Sequence, residues 1–422
     1  MSDDSTSVST GSSTAWLSVV GLSEAGWPEL GEPAREAVLQ AELVIGGERH
    51  LSHLPTVAGQ ERAVWPSPIQ EGIEWIKRWE GRLVCVLASG DPFWYGIGAT
   101  LSRHLPPEVM VVHPGPSAFS LAAARLGWPL QELHCHSLVA RDPDRLRSRL
   151  APGRRVLVLS NDASSVTTVA QLLNDSGYGA SRLYVLEDLG GANERVTDVC
   201  VKDPPDWVIS DLNTLAIECI VEENVQPVAR VPGRPGLDYC HDGQISAPEI
   251  RAVVMAHLAP RGGEYLWDLG TGSGAVAVEW LCSDGANRAT AVDQREDRLV
   301  NVRENARLHG VGHLETLQAD IADAIAQLER PDAIFIGGGA SGHGVVDQAW
   351  RALAHGGRCV ATAVTTEGET ALLVAQSCHG GHLIRLSIDR TEALGRFNGW
   401  RSDRPITIWY ATKNVHQEEA SS

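Results

Sequence analysis

Short apolar runs alternate with helical patterns along the chain from Trp16 onward. Valine and leucine dominate the runs AWLSVVGL, ELVIGG, RLVCVLASG, EVMVVHPG, RRVLVLS and SRLYVLEDLG, and each run ends close to a Gly, Ser, Asp or Asn. Runs this short, separated by helical stretches such as EPAREAVLQA, predict buried strands of an α/β sheet. Ligands of open α/β sheets collect at the carboxyl ends of the strands. The residues that end these runs are therefore candidate binding residues.

A second α/β series follows a stretch without periodicity. Residues 222–238, EENVQPVARVPGRPGLD, contain several prolines and are typical of a linker or a crossing loop. A chain of 422 residues also exceeds one typical core of roughly 100–200 residues. We therefore predict two different α/β domains, at 15–221 and 232–414, joined by a linker at 222–231. The Ser/Thr-rich residues 1–14 are expected to form a disordered tail, and residues 415–422 a second tail.

Composition narrows the class of ligand. The formal net charge of −18 disfavours binding to nucleic acid, because that binding needs clustered Lys and Arg. An anionic small molecule would instead be met by a local group of arginines. No apolar run approaches the roughly 18 residues that span a bilayer, so we expect no membrane association. Eight scattered cysteines without a CxxC pair, and no stretch like a secretory leader, favour the cytoplasm.

One His-Cys-His triplet raises the question of a metal. His134, Cys135 and His136 supply two imidazoles and a thiol, but no further ligand stands nearby in the sequence. Such a set makes a weak site, so we expect no bound metal and place the triplet in a loop or at a strand end.

The second half contains a glycine-rich turn between a predicted strand and a helix, LWDLGTGSGAVAVEW at 266–280. Glycines there permit positive φ and close approach of the backbone to a ligand. Asp268, just upstream of the turn, suits the ammonium of S-adenosylmethionine. Asp293 ends the next predicted strand, where it can accept hydrogen bonds from both ribose hydroxyls, and Asp320 ends the third, in a position suited to the adenine edge. These features favour a methyl donor, while a dinucleotide and a purely structural turn are the alternatives. The residues of this hypothesis are Asp268, Gly270, Thr271, Gly272, Ser273, Gly274, Asp293 and Asp320.

Ser246 has two interpretations. With Glu249 it forms the S-x-x-E pattern of a capping box that opens a helix, and this role alone would explain the serine. A contact with the cofactor is the other interpretation.

The second half carries a family resemblance in several separate blocks. PGRPGLDYCHDGQISAPEIRAVVMAHL, LWDLGTGSGAVAVEW, PDAIFIGGG and GGRCVATAVTTEGE resemble the precorrin-6 methyltransferase/decarboxylase domain of cobalamin biosynthesis, over about 232–412. The resemblance implies a class I, Rossmann-like methyltransferase fold. The family usually has Thr-Lys where this chain has Ser246 and Ala247, and Arg404 stands where an asparagine is common. In place of a polar fourth-strand loop the chain has FIGGG at 335–339, so no catalytic acid or base is assigned.

The first half resembles the tetrapyrrole methylase family, in its carbon-5 methylating branch. The blocks are VVGLSEAG, VIGGERHL, ASGDPFWYGIGATL, HPGPSAFSLAAARLGWPL and VLEDLGGANERV, over about 15–220. The resemblance implies a donor cleft between two α/β subdomains; a structural Pro-Gly turn is the alternative for the ASGDP motif alone. The family's first loop is commonly GxGPG, whereas this chain has GLSEAG at 21–26. The donor residues carried over are Gly21, Ser89, Gly90, Asp91, Pro92, Pro114, Gly115 and Ser117.

Together the resemblances imply a bifunctional enzyme with one S-adenosylmethionine per domain. The first domain would methylate carbon 5 of a reduced precorrin-6, and the second would methylate carbon 15 and remove a ring acetate carboxyl, giving precorrin-8. An RNA methyltransferase, and a second-domain enzyme with a non-catalytic first domain, are the alternatives. We also expect a homo-oligomer. Arginine forks suit the carboxylates of the macrocycle; the candidates are Arg49 with His50, Arg141, Arg396, Arg401 and Arg404.

Overall fold

The chain forms two compact units in the computed structural model, which describes residues 15–203, 205, 207–229 and 231–414. The first unit comprises the described residues up to Pro143 together with Leu150–Val225, and the second comprises Asp144–Arg149 and those from Gln226 onward. The tails predicted at 1–14 and 415–422, and position 230 of the predicted linker, lie outside the described residues.

The first unit begins with a five-stranded sheet whose neighbouring strands are all parallel. Its elements are β1 (Leu17–Leu22), α1 (Glu32–Gln40), β2 (Leu43–Gly46), α2 (Glu48–Ser52), β3 (Glu61–Val64), α3 (Ile69–Lys77), β4 (Val84–Ser89), α4 (Ile97–Leu101) and β5 (Met110–His113). The strand order is β3-β2-β4-β1-β5. Val19 and Val20 of β1 are both fully buried, in two different apolar clusters. Successive strand residues face opposite sides of a sheet, so both faces are covered, which explains why the strand is mostly apolar.

A second five-stranded sheet completes the first unit. Its elements are α5 (Ala118–Leu126), β6 (Leu133–Ser137), β7 (Arg155–Leu159), α6 (Ser165–Asp175), β8 (Arg182–Glu187), β9 (Arg195–Cys200) and β10 (Asn213–Glu218). The order is β6-β7-β10-β8-β9, with only the β6–β7 pair parallel. The two sheets confirm the predicted pair of α/β subdomains.

The second unit is built on a seven-stranded sheet. Its elements are α7 (Pro248–Leu258), β11 (Tyr265–Leu269), α8 (Ala275–Ser283), β12 (Arg288–Asp293), α9 (Glu296–Leu308), β13 (Glu315–Gln318), α10 (Ile321–Ile325), β14 (Ala333–Ile336), α11 (Val345–Ala352), β15 (Arg358–Ala363), α12 (Thr366–His379), β16 (His382–Leu386), β17 (Asp389–Leu394), β18 (Phe397–Ser402) and β19 (Ile406–Thr412). The order is β13-β12-β11-β14-β15-β19-β16, antiparallel only at β19, and β17 and β18 form a separate hairpin.

Helices cover both faces of this sheet. Leu266 and Trp267, adjacent on β11, belong to different buried clusters. The Leu266 cluster includes residues of α7, α8 and α9, and the Trp267 cluster includes residues of α10, α11 and α12. This doubly wound arrangement confirms the predicted Rossmann-like fold.

Two local predictions are wrong. Cys135 lies in the interior of β6, where it is registered with Leu157 of the parallel neighbour, and not in a loop or at a strand end. Ser246 does not cap α7, because the helix begins at Pro248 and its N-cap is Ala247, which has no side-chain cap hydrogen bond. Proline at the first helical position already has the required φ, and Glu249 pairs instead with Arg390 at 2.9 Å.

Candidate functional site

A cavity of about 480 Å³ lies in the second unit, at the carboxyl ends of the central strands β11, β14 and β15. Its wall is made largely of backbone and small side chains from four turns. These are at 243–247, 270–273, 337–341 and 362–365, and residues 403, 404 and 406 add to them. Of the predicted site residues, those on the wall are Ser246, Gly270, Thr271, Gly272, Ser273 and Arg404.

The turn after β11 needs its glycines for backbone reasons. Gly270, Gly272 and Gly274 have φ of 67°, 60° and 75°, which confirms the predicted positive values. A Cβ on Gly270 would stand 2.2 Å from the carbonyl oxygen of Gly338, in the turn after β14. At Gly272 a Cβ would meet only the Gln244 carbonyl oxygen, at 3.5 Å. Gly270 therefore lets two strand ends converge, and Gly272 keeps the wall open.

Asp268 lies beneath the glycine turn and not on the cavity wall. Its side chain is fully buried, and Oδ2 accepts hydrogen bonds from the Thr271 hydroxyl at 2.7 Å and the Ala277 backbone N–H at 3.1 Å. Oδ1 is buried without a hydrogen-bond partner among the described residues. Burial raises the pKa of Asp268 to about 7, against the lowering effect of its two hydrogen bonds. The carboxyl thus holds the turn, and its contact with a donor ammonium stays a prediction.

Asp293 and Asp320 also serve the backbone. Asp293 accepts from the N–H groups of Gly272 at 3.1 Å and Arg295 at 3.0 Å. Asp320 caps α10 by accepting from the Ala322 N–H at 2.9 Å. Neither carboxylate is on the cavity wall in the described structure. Their roles toward ribose and adenine stay predictions.

The predicted arginines of the second unit are not brought together. Arg404 is exposed on the wall of the cavity. Arg396 lies at the turn of the β17–β18 hairpin, over the Phe397 ring, and Arg401 on β18 pairs with Glu392 at 3.1 Å. Only Arg404 of these three is placed to meet a ligand in this cavity.

A buried polar network beside the cavity was missed by the sequence reasoning. Arg251 and Glu279 pair at 3.0 Å, and both side chains are about 1% exposed. The same Glu279 oxygen accepts from Tyr239 at 3.1 Å, and its other oxygen accepts from the Gly233 N–H at 2.9 Å. Arg251 also donates to the carbonyl of Ser246, which is on the cavity wall. The network therefore ties the 233–246 segment to α7 and α8. The partners of Glu279 are 28 or more positions away from it in the chain, so they left no local signal.

The first unit has its own cavity, of about 490 Å³. The predicted residues on its wall are Arg49, His50, Ser89, Gly90 and Ser117. Gly21, Asp91, Pro92, Pro114 and Gly115 are close by in the chain but lie off the wall. The wall also contains residues that sequence reasoning did not single out: Trp94, Tyr95, Phe119, Ser160 and Asn213.

Glycines bring three strand ends together under this cavity. A Cβ on Gly21 would stand 1.9 Å from the Gly90 carbonyl oxygen, and Gly90 has φ of 58°. The Gly90 N–H donates to the Leu22 carbonyl at 2.9 Å, and the Gly115 N–H to the Gly90 carbonyl at 3.3 Å. The ends of β1 and β4 and the residues after β5 thus meet through backbone alone.

His50 is held against Ser89 on the wall. Its Nε2 lies 3.0 Å from the Ser89 hydroxyl, and its Nδ1 is buried without a hydrogen-bond partner among the described residues. Burial, with the positive charges of Arg49 and His53, lowers the pKa of His50 to about 4. Arg49 pairs with Glu24 at 2.7 Å. At neutral pH His50 therefore offers a hydrogen bond and no charge.

Other carried-over residues shape the turns. Ser117 caps α5, accepting from the Ser120 N–H at 3.1 Å, and Asp91 accepts from the Phe93 N–H at 2.8 Å. Pro92 is buried against Gly96 and Gly98. These contacts account for the residues structurally, so their role toward a donor is not assigned by geometry.

Two kinds of feature are absent from the part of the chain that the structure describes. No group of three or more His, Cys, Asp or Glu residues is placed to hold a metal ion. No helix combines the length and the apolar character of a membrane span.

Two families match the chain, one in each unit. Residues 17–204 match the tetrapyrrole (corrin/porphyrin) methylases, and residues 238–413 match the precorrin methyltransferase domain. The class is therefore that of the tetrapyrrole methyltransferases. A protein of Sinorhizobium sp named precorrin-6Y C(5,15)-methyltransferase [decarboxylating] is 42% identical over 398 residues, which cover 94% of this chain and 96% of that protein. The chain belongs to this family of decarboxylating precorrin-6Y C(5,15)-methyltransferases.

Shorter relatives each match less than half of the chain. A cobalt-precorrin-7 C(5)-methyltransferase of Salmonella typhimurium is 32% identical, covering 43% of this chain and 88% of that protein. A probable cobalt-precorrin-6B C(15)-methyltransferase (decarboxylating) of Saccharolobus solfataricus is 32% identical, covering 32% of this chain and 72% of that protein.

Proposed function

We propose that each unit binds one S-adenosylmethionine and methylates a different carbon of one tetrapyrrole. The first unit acts at carbon 5 of a reduced precorrin-6; the second acts at carbon 15 and removes a ring acetate carboxyl, giving precorrin-8. The observation that carries the proposal is the presence of two separate cavities, one per unit, each at the carboxyl ends of parallel strands. Relatives that carry one of the two methylations in their names, and match under half of this chain, support the division.

Both cavities fit the donor chemically. In the second unit the open position over Gly272 admits a ligand close to backbone. Asp268 Oδ1 also lacks a partner among the described residues, but it lies beneath the turn and off the wall, so it adds nothing to this fit. In the first unit Ser160 Oγ and Asn213 Oδ1 are buried wall atoms that likewise lack partners. Buried polar atoms left unpaired are costly, so such atoms indicate a polar ligand.

The protein's contribution is binding and orientation. When bound, S-adenosylmethionine supplies an electrophilic methyl group. The walls at Gly270 and Gly90 would hold the donor, and holding the acceptor carbon in line with its methyl group would account for much of the rate. The fourth-strand turn supplies small residues and no base, which suits an electron-rich carbon that needs positioning. In the first unit neutral His50 offers a hydrogen bond beside Ser89.

Decarboxylation needs an electron sink, which the substrate contains. The bond from the acetate methylene to the carboxyl carbon breaks, carbon dioxide leaves, and the electron pair moves into a conjugated protonated pyrroline nitrogen. The second-unit cavity would hold the carboxylate out of water, which raises its energy before it departs. Three arginines are on the wall, of which Arg251 and Arg298 already pair with Glu279 and Asp242. Arg404 is the one we propose to bind another carboxylate of the macrocycle.

Two matched glycine variants of the full chain test the division. Gly21→Ala places a Cβ 1.9 Å from the Gly90 carbonyl, and Gly270→Ala places one 2.2 Å from the Gly338 carbonyl. Calorimetry with S-adenosylhomocysteine should give two sites in the native chain and one in each variant. Gly21→Ala should lose carbon-5 methylation only, and Gly270→Ala should lose carbon-15 methylation together with decarboxylation.

One donor site in the native chain would refute the proposal and favour a non-catalytic first unit. Loss of both methylations in both variants would show that the activities are not divided between the units. The cytoplasmic location and the homo-oligomer stay predictions.

A further inference from the structure

The segment after β4 presents two large aromatic rings to the first-unit cavity. Trp94 and Tyr95 are on the wall, and the two residues are 41% and 42% exposed. Both rings contact Phe119, which is also on the wall, with centroids 5.6 Å and 6.0 Å from its own. Adjacent exposed aromatic residues are uncommon away from binding surfaces, so this wall is a candidate ligand-binding surface.

The backbone conformation of the turn at 91–96 fixes the positions of these two rings. Tyr95 has φ of 59°, a left-handed conformation that is unfavourable for an aromatic residue. The turn is tight, because a Cβ on Gly96 would stand 2.6 Å from the Pro92 carbonyl oxygen. Asp91 fixes its start by accepting from the Phe93 N–H at 2.8 Å. Strain that a compact turn maintains, with its rings facing a cavity, is typical of functional sites.

A cation stands beside the same wall. The Arg141 guanidinium lies 4.7 Å from the centroid of the Tyr95 ring. Among the described residues no carboxylate forms an ion pair with Arg141, so its charge remains available for a ligand. The wall therefore combines aromatic surface with a positive group next to it.

The polar groups suited to a donor lie elsewhere in the cavity. Ser160 directly follows β7, and Asn213 begins β10, which pairs with β7 so that Thr214 is opposite Leu159. The two unpaired wall atoms thus share one edge of the second sheet, whereas Trp94 and Tyr95 follow a strand of the first sheet. A nucleoside needs hydrogen bonds; a conjugated macrocycle with peripheral carboxylates needs flat apolar surface and cations.

We propose that Trp94 and Tyr95 form a stacking platform for the face of the tetrapyrrole, and that Arg141 binds one of its carboxylates. This inference rests on the proposed carbon-5 methylation in the first unit. It assigns to the DPFWYG turn a role in recognising the methyl acceptor, in addition to the contact with the donor that the family resemblance implies.

Phe93 supplies a matched control for the test. It is in the same turn and is 48% exposed, but it is not on the cavity wall. The variants are Trp94→Leu, Tyr95→Asn, Arg141→Gln and Phe93→Leu, each in the full chain. Asparagine is chosen at Tyr95 because it tolerates positive φ while removing the ring.

Carbon-5 methylation is measured with a reduced precorrin and labelled donor, and donor affinity by calorimetry with S-adenosylhomocysteine. We expect the KM for the tetrapyrrole to rise about tenfold in Trp94→Leu and in Tyr95→Asn, and severalfold in Arg141→Gln. Donor affinity and Phe93→Leu kinetics should stay within about twofold of the native values. Carbon-15 methylation should be unchanged, which verifies that the second unit is intact.

A fall in donor affinity with an unchanged tetrapyrrole KM would overturn the platform and assign the wall to the adenine of the donor. Unchanged values for both ligands in Trp94→Leu and Tyr95→Asn would overturn it as well. Failure of the proposed function has a different signature, because the native chain would then show no carbon-5 methylation at all.

Discussion

Replacing Glu279 by glutamine removes the negative charge from an ion pair that water does not reach. Both Arg251 and Glu279 are about 1% exposed. Three donors converge on one Glu279 oxygen, from Arg251, Tyr239 and the Arg234 N–H, and the Gly233 N–H meets the other. Whichever oxygen is replaced by the NH₂ group of glutamine, that group is itself a donor and will lie against another donor, so hydrogen bonds are lost. The arginine also loses its neutralising partner in a low-dielectric interior.

Breaking a buried pair in this way costs about 3–5 kcal/mol, mostly because a charge is left unpaired. Amide exchange from α8 requires local opening of the second unit. If the free energy of that opening falls by this amount, exchange becomes more than about 100-fold faster. Donor affinity in the second unit should fall too, since Arg251 also holds the carbonyl of Ser246 on the cavity wall. The first unit should exchange and bind as in the native chain.

Glu329→Gln is the matched control. Glu329 pairs with Arg288 at 2.9 Å, nearly the same distance, but the two side chains are 72% and 52% exposed. An exposed pair contributes at most about 1 kcal/mol, so α8 exchange should change less than about fivefold. Equal effects of Glu279→Gln and Glu329→Gln would refute the argument, because burial would then have no part in the stabilisation.

Two further predictions concern pH. Burial raises the folded-state pKa of Asp268 from 3.8 to about 7, so between these values the native state keeps a proton that the unfolded chain releases. The free energy of unfolding of the second unit should therefore fall as pH rises through that window. Asp268→Asn should abolish this fall, as measured by amide exchange at a series of pH values. Burial lowers the folded-state pKa of His50 from 6.5 to about 4, so first-unit stability should fall as pH drops through that window. His50→Gln should remove this acid sensitivity, measured in the same way, and an unchanged pH profile in either variant would contradict the reasoning.

The sequence pattern predicted those features that depend on local spacing. In the first unit the apolar runs predicted β1, β2, β4, β5, β7 and β8, whereas β3, β6, β9 and β10 were not among them. The glycine turn at 270–274 has the positive φ values expected of it. The capping box at Ser246 was wrong because a competing local signal, proline at the first helical position, determines where α7 begins. The antiparallel pairing of β10 was not visible, since strand direction depends on partners far along the chain.

The candidate sites were predicted unevenly for the same reason. Ser89 and Gly90 were predicted through the family resemblance, and their place at the end of a strand, where ligands collect, agrees with that prediction. Arg251 and Glu279 were missed, because only the fold brings residues 28 positions apart into a pair. Trp94 and Tyr95 stand in a motif that was singled out, but nothing in its letters shows that the left-handed conformation of Tyr95 turns both rings toward a cavity.

The GLSEAG loop at 21–26 keeps the backbone contacts that shape the cavity of the first unit. Both of its glycines have a steric requirement, because a Cβ on Gly21 would overlap the Gly90 carbonyl and Gly26 has φ of 68°, and both glycines are present. The departures from GxGPG fall at 23–25, where the new side chains have partners: Ser23 donates to Glu29 at 2.8 Å, and Glu24 pairs with Arg49 at 2.7 Å. The convergence of strand ends that shapes the cavity therefore does not depend on the missing proline. The departure changes the polarity of the rim, which now includes Ser23 and Glu24, so its consequence should be sought in ligand affinity before it is sought in folding.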